Sequence, residues 1–400
     1  MPATRSLSRR DLLRGAARPR MVFAEAPGAG DVLVVIFLRG AMDGVHTVPP
    51  FADPSYQRQR PTLAIADPGK AAGAVDLDGF FGLHPDLAPL AELFQEKRLA
   101  VVHACGSPDT TLSHFEAMQT MERGVSDGNS TASGWISRHL ATRETGNSSP
   151  MRAVAFGDVL PKSLQGSTQA TAVRSLSEFR LAVPDGWPSG YRDLLTELYP
   201  GEGDAARTAG GHIFELLGRL DRLKPDDYAP SGGAAYPETD LGRGLKQVAQ
   251  LIKADVGLEI ASVDLGGWDA HVAQVTLMSG LMQDLGKSLH AFHADLERRM
   301  KRVTVVAMTE FGRRVHENSG LGTDHGRGSA MFLLGGGIRG GKVYGRWPGL
   351  SKDELDRDGN LRVTTDYRDI LGEIVERRLH NPHLDRVFPD WQPRYLGLTA

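Results

Sequence analysis

The sequence predicts an α/β fold, a three-layer sandwich in which a mostly parallel central sheet carries helices on both faces and an irregular insertion interrupts the order. Three observations lead there. Residues 31–38, 99–104, 258–265 and 303–308 are apolar runs rich in β-branched side chains, the pattern of strands covered on both faces. Amphipathic helical stretches alternate with these runs, as they do in parallel sheets. Glycine and polar residues follow the runs, at the carboxyl ends where open α/β sheets bind their ligands.

Length and composition set the frame for these elements. A chain of 400 residues is one large domain with insertions or two domains. With 40% hydrophobic and 24% charged residues it has the composition of a globular protein with a sizeable core, and its 47 glycines suggest many tight loops. The net charge of −3, with no basic run beyond the N-terminus, gives no electrostatic footprint for nucleic acid. The single cysteine, Cys105, excludes an intrachain disulfide and reads as a buried thiol.

Residues 1–30 form a leader ahead of the main domain at 31–400. Ser8-Arg9-Arg10-Asp11-Leu12-Leu13 has the form of a twin-arginine export signal, and Ala24-Glu25-Ala26 of a cleavage site. Arg14, Arg18, Pro19 and Arg20 interrupt the apolar segment between them, which makes the signal degenerate. The expectation is a periplasmic or secreted protein, the alternative a basic leader on a cytoplasmic one. No run approaches 18 apolar residues, so no membrane span is expected.

The run 31–38 is the first strand, and Arg39 to Gly44 is a glycine-bracketed turn at its end. His84-Pro85 opens an amphipathic helix whose apolar face is Leu87, Leu90, Leu93 and Phe94, with proline favourable at the first position. Residues 99–104 return as a strand. Ser113, with Glu116 three residues on, has the form of a capping box. Residues 124–236 are less periodic and rich in Gly, Ser and Pro. They read as an inserted subdomain or lid with short strands at 153–156 and 170–175 and helices near 191–198 and 212–223. A helix at 241–254, a strand at 258–265, a long helix from 272 to 300 and the strand 303–308 then follow. A second short strand lies at 331–334, and a last amphipathic helix at 366–379 precedes an irregular tail containing Trp391.

Acids and histidines gather at three strand ends: Asp43, Asp269 with His271, and Glu310 followed by Asp324-His325. Parallel strands bring such ends together. Carboxylates and neutral imidazoles are the usual ligands of Zn²⁺ or Mn²⁺, so one or two divalent ions are expected, held by Asp43, Asp269, His271, Glu310, Asp324 and His325. Two ions about 4 Å apart would clamp the attacking and leaving oxygens of a phosphoryl-type displacement. Ser113 at a helix start either caps the helix or faces a bound anion as the attacking hydroxyl. Arg39 and Arg313 are candidates for the substrate's oxyanion, with a structural ion pair the alternative for Arg39. Asp43 has a plain reading as a turn residue, Asp269 as a helix cap, and Glu310 as the partner of Arg313 or Arg314. Glycines on both sides of Asp324-His325 suggest close approach of another group. His84 and His103 read as structural, and His316 and Glu317 as a solvated loop.

The chain resembles a bacterial family termed domain of unknown function 1501, whose members usually begin with a twin-arginine signal. The resemblance rests on Phe37-Leu38-Arg39-Gly40 with Asp43-Gly44, on Leu83-His84-Pro85, and on Ser113-His114-Phe115. It also includes Gly267-Trp268-Asp269 with His271, Thr309-Glu310-Phe311-Gly312-Arg313, and Gly322-Thr323-Asp324-His325-Gly326. It implies an alkaline-phosphatase-like fold, in a superfamily that includes sulfatases and hydrolyses or transfers phosphate and sulfate esters with metal ions. Asp43 falls where the superfamily places an acid after the first strand, and Ser113 where it places a hydroxyl nucleophile. Two departures stand out. Asp269 and His271 are separated by one residue where the superfamily has three, so they can share an ion only if the helix begins after them. Phe311 stands where a histidine is expected and cannot bind metal; His325 fits the superfamily's later lone histidine, or alternatively Asp324-His325 is itself the displaced pair, which would leave Glu310 in an outer position holding an arginine.

The functional expectation is a metal-dependent hydrolase of phosphate or sulfate esters, small or carried on a glycan. The alternative is a non-catalytic secreted binding or scaffolding protein that retains the fold.

Overall fold

Strand β1, Val32–Leu38, sends Val32, Val34, Ile36 and Leu38 into one apolar core and Leu33, Val35 and Phe37 into another. A strand buried on both faces has no side to offer water, hence its unbroken apolar run. A computed structural model describes residues 30–126, 129–147, 149–178 and 225–400. After β1 come α1 (Gly44–Thr47), α2 (Pro89–Gln95), β2 (Leu99–Gly106), α3 (His114–Arg123), α4 (Trp135–Thr142), β3 (Ala153–Phe156) and β4 (Ala170–Val173). The described chain continues through α5 (Asp240–Ala254), β5 (Ile260–Leu265), α6 (Gln274–Leu296), β6 (Val303–Met308), β7 (Ser329–Gly335), β8 (Lys342–Tyr344), β9 (Thr365–Asp366) and α7 (Tyr367–Arg377).

Within the described residues these strands form one sheet in the order β8-β2-β7-β6-β1-β5-β3-β4, with β9 also beside β2. All pairings are parallel except those of β7, which runs antiparallel to both β2 and β6. The mixed α/β class with a largely parallel sheet is thus as expected. Helices α2, α5 and α6 cover one face through Leu90, Leu93, Leu245, Val248, Leu285 and Phe292. Helices α4 and α7 cover the other through Ile136, Leu140, Ile370, Leu371 and Ile374. Full burial of such a side chain stabilises by about 1.5–3 kcal/mol, so the two cores fix the sheet rigidly beneath its edge.

Several boundaries differ from the expectation. The helix expected at His84-Pro85 is a 3-10 turn, Pro85–Leu87, in which His84 Nδ1 accepts from the Asp86 amide; α2 starts only at Pro89. The long helix begins at Gln274 rather than 272 and passes into a 3-10 segment, Glu297–Arg302. Strands β3 and β4 extend the central sheet beyond β5. The leader up to residue 29 and the helices expected at 191–198 and 212–223 lie outside the described residues. Among the described residues no helix is long and apolar enough to cross a membrane.

His46, His103 and His139 are sealed into this fold. Desolvation holds His46 and His103 at about 4 and His139 at about 3. The unfolded chain protonates near 6.5, so below that pH it binds protons the folded chain refuses. Their contribution to stability is therefore complete above about pH 6.5 and is lost as pH falls toward 4, on the order of 3 kcal/mol per histidine by pH 4. Urea titrations across this window should show the unfolding midpoint falling, and His103→Gln should flatten the fall.

Candidate metal centre

The registers bring the site together. Leu38 pairs with Leu265, and Phe37 with Met308, so β1, β5 and β6 end at one level of the sheet. Residues 39–43, 266–273 and 309–328 therefore leave the sheet side by side. The third of these folds back on itself: Arg313 and His325 form an antiparallel bridge, and the Gly326 amide donates to Gly312 O at 2.9 Å. A Cβ on Gly326 would collide with the Arg313 backbone, and one on Gly322 with the His271 carbonyl. The close approach signalled by these glycines is that of the chain's own backbone.

Four side chains converge there. The ligand atoms of His114, Asp269 and His325 all lie within 4.8 Å of one another, a group that could hold a metal ion. His325 Nε2 stands 3.0 Å from His114 Nε2 and 3.0 Å from His271 Nε2. Asp269 Oδ1 is 3.1 Å from His325 Nε2 and 3.0 Å from His271 Nε2, while its Oδ2 is 3.4 Å from His114 Nε2. Asp269 and His271 can both reach this point because α6 begins after them, and the intervening loop frees their directions from helical spacing.

What stands behind each imidazole settles which nitrogen faces inward. His114 Nδ1 is 2.8 Å from Glu310 Oε1, His325 Nδ1 is 3.0 Å from the Leu112 carbonyl, and His271 Nδ1 is 3.1 Å from Asp324 Oδ1. Each outer partner is an acceptor, so each neutral ring carries its proton on Nδ1 and turns the Nε2 lone pair to the centre. The His325 lone pair then faces those of His114 and His271 at 3.0 Å and the Asp269 carboxylate at 3.1 Å. That arrangement is repulsive alone and attractive around a cation. A tetrahedral ion with bonds of about 2.0–2.1 Å has ligand–ligand edges of roughly 3.3 Å, and the separations among His114, Asp269 and His325, 3.0, 3.1 and 3.4 Å, match three such edges; His271, 3.0 Å from Asp269 and from His325, lies outside that mutually close group. Each of these three histidines also has an outer hydrogen bond of the kind metal sites use to fix the ring.

The electrostatics arise from these contacts. Desolvation would raise the Asp269 carboxyl, but the hydrogen bond and charge of Arg313 hold it at about 2. The hydrogen bond to Glu310 raises His114, and desolvation lowers His325. Asp269 is 47% exposed and His271 41%, so the cluster opens to solvent on one side.

The structure sorts the expected residues. Asp269, His271 and His325 meet at the centre, and Asp324 holds His271 from outside. Glu310 is fully buried, accepting from the Gly40 amide at 2.9 Å and from Thr309 Oγ1 at 3.0 Å; it orients His114, not an arginine. Asp43 is placed apart from the group. It caps α1 through the Val45 and His46 amides, and it receives Arg60 Nη1 at 2.5 Å, Arg60 Nη2 at 3.0 Å and Gln274 Nε2 at 2.7 Å. Its oxygens are committed to that network.

The arginines are likewise committed. Arg313 is buried and donates to the Ala41, Gly40, Thr323 and Trp268 carbonyls and, at 2.7 Å, to Asp269 Oδ1. It has no surface for a substrate oxyanion and instead steadies Asp269. Arg39 pairs with Asp264 at 2.7 Å and with Glu122 at 3.3 Å, the ion-pair alternative. Glu317 accepts from the Thr62 and Leu63 amides and so pins the loop rather than lying solvated. Ser113 precedes α3 without making the cap bond, and Glu116 accepts from Thr111 Oγ1 at 2.6 Å in place of closing a capping box.

His114 is the member of the centre that the sequence alone does not single out. It stands one place after Ser113, where a helix begins beyond the carboxyl end of β2, and that placement is the signal it carries. Glu310→Gln keeps an acceptor at His114 Nδ1 but removes its charge. Zinc affinity should fall about 10–100-fold with the fold intact, read by chelator competition and circular dichroism.

Residues 227–391 match the family described as a protein of unknown function (DUF1501). The matched stretch contains Asp269, His271, Glu310, Arg313, Asp324 and His325, whereas His114 comes from outside it. Curated proteins give no match. Among solved structures, the C-terminal periplasmic domain of EcEptC from Escherichia coli in complex with Zn is 11% identical, with a TM-score of 0.35 over 78% of this chain and 74% of that chain. Ps i-CgsB in complex with k-i-k-neocarrahexaose is 10% identical, with a TM-score of 0.36 over 89% of this chain and 74% of that chain. Likeness at this level carries nothing for function, which must be sought in the site's own geometry.

Proposed function

We propose that the protein is a metal-dependent hydrolase of phosphate or sulfate esters on an alkaline-phosphatase-like fold. The observation that carries this is the inward convergence of His114, His271 and His325 Nε2 with the Asp269 carboxylate, each imidazole fixed from behind by an acceptor. Zn²⁺ suits the nitrogen-rich donor set better than Mn²⁺. One ion is supported, because Asp43 is committed to Arg60 and Glu310 to His114. When bound, the ion would supply Lewis acidity toward an ester oxygen.

The chain's own residues supply position and charge. Arg313 keeps Asp269 ionised and aimed at the centre, and Glu310 and Asp324 lock two of the rings. Ser113 lies between Leu112, whose carbonyl holds His325, and His114 itself, and its hydroxyl does not cap the helix. It is our candidate for the attacking hydroxyl. The leader motif at residues 8–13 supports an exported protein.

The test is metal content together with turnover of aryl phosphate and aryl sulfate by wild type, Asp269→Ala and Ser113→Ala. Asp269→Ala should lose both metal and turnover, whereas Ser113→Ala should keep the metal and lose turnover by at least about 100-fold. Unchanged turnover in both variants would refute the catalytic reading. The second reading, a binding protein with one structural ion, is favoured by the commitment of Asp43 to Arg60. It predicts a melting temperature raised by zinc with every ester left intact.

A further inference from the structure

We infer that the substrate taken at this centre is an amphiphile, whose ester headgroup meets His114, Asp269, His271 and His325 while its hydrocarbon portion lies on an apolar collar beside them. This rests on the metal-centre reading. The large hydrophobic side chains left exposed among the described residues are not scattered. Phe115 is 85% exposed, Val272 59%, Leu321 56%, Leu277 52% and Val275 47%. Phe115 follows His114, Val272 follows His271, Val275 and Leu277 lie in the first turn of α6, and Leu321 is three residues before Asp324. The remaining one, Val159, follows the carboxyl end of β3 and so lies at the same edge of the sheet.

The collar is held as firmly as the ligands. The Ala273 amide donates to Gly320 O and the Gln274 amide to Leu321 O, both at 2.9 Å, which ties the segment carrying Val272 to the loop carrying Leu321. Isolated exposed hydrophobics need no explanation, whereas their concentration on one rim marks a binding surface. Continuity with the centre identifies the occupant. Phe115, Val272 and Leu321 belong to the same short segments as the ligands, so a molecule held at the centre by its charged end extends over them. An ester of small polar alcohols would leave them facing water.

The experiment uses the full chain loaded with zinc and a series of n-alkyl phosphates from butyl to octyl, kept below micelle formation and read by calorimetry. Affinity should rise about 2-fold per methylene, roughly half of the effect of complete burial on a logarithmic scale. The Phe115→Ser, Val272→Ser, Leu321→Ser triple variant should lose most of that slope, with zinc stoichiometry and inorganic phosphate affinity unchanged. A flat series in wild type, or the same slope in the variant, would overturn the inference. So would a flat series accompanied by self-association that the variant abolishes, which would assign the collar to a second copy of the chain. Absence of zinc and inorganic phosphate binding would instead bring down the metal-centre reading; a neutral n-alkanol series would then still decide the collar, with a slope abolished by the triple variant retaining it and a slope equal in both proteins removing it.

Discussion

His325→Ala should abolish tight zinc binding, lowering affinity by more than about 100-fold, because it removes the one ring that touches every other member of the cluster. His325 Nε2 is 3.0 Å from His114 and His271 and 3.1 Å from Asp269. Loss of a neighbour's outer partner, as in Glu310→Gln, leaves all donors present and should cost less. Loss of His325 leaves His114 and His271 without the nitrogen between them. The comparison is made by chelator competition with calorimetry as a second measure, and by unfolding midpoints with and without zinc. In wild type, zinc at 100 times its dissociation constant should add about 2.7 kcal/mol of stability, an increment that His325→Ala should lack at the same concentration. Equal zinc affinity in wild type and His325→Ala would show that the imidazoles hold one another rather than an ion.

The sequence exposed part of this centre and hid part of it, for physical reasons. Strand runs buried on both faces are unmistakable, and the residues just after them lie at the ligand-binding edge, so Asp269 and His271 were legible from position, and Asp324 and His325 from the density of ionisable groups in the loop after the strand 303–308. Glycines beside His325 announced close packing without saying of what; the structure shows the packing to be backbone on backbone. His114 was hidden because a helix start explains a polar cluster without any ligand, and the Ser113 to Glu116 spacing supplied that explanation. Glu310 was seen but its partner was not, since a contact across 196 residues leaves no local trace. The irregular region was harder still: its two short strands follow from apolar runs, but their place at the sheet edge depends on β5, more than 80 residues later.

Asp43 gives the clearest case of a residue whose type and position misdirect, and the outcome of removing its partner can be derived from burial. Arg60 and Asp43 are both fully buried, joined by two hydrogen bonds at 2.5 and 3.0 Å. Arg60 also donates to the Val315 and Arg314 carbonyls, tying the start of the 309–328 loop to the turn after β1. Desolvation works against the Asp43 charge, and Arg60 outweighs it and holds the carboxyl below its usual range. Arg60→Ala would leave a buried carboxylate without its cation and two carbonyls without donors, a loss of about 3–5 kcal/mol of stability. Asp43→Ala should lose a similar amount by stranding the guanidinium. Replacing both, Asp43→Leu with Arg60→Met, should cost clearly less than the two single losses added, because neither charge is then left buried alone. Urea unfolding measures the stability, and a zinc titration of each folded variant measures the centre. If Asp43 serves the fold and not the ion, every folded variant keeps wild-type zinc stoichiometry and affinity. A variant that stays folded but loses zinc would return Asp43 to the ligand set and restore the case for a second ion.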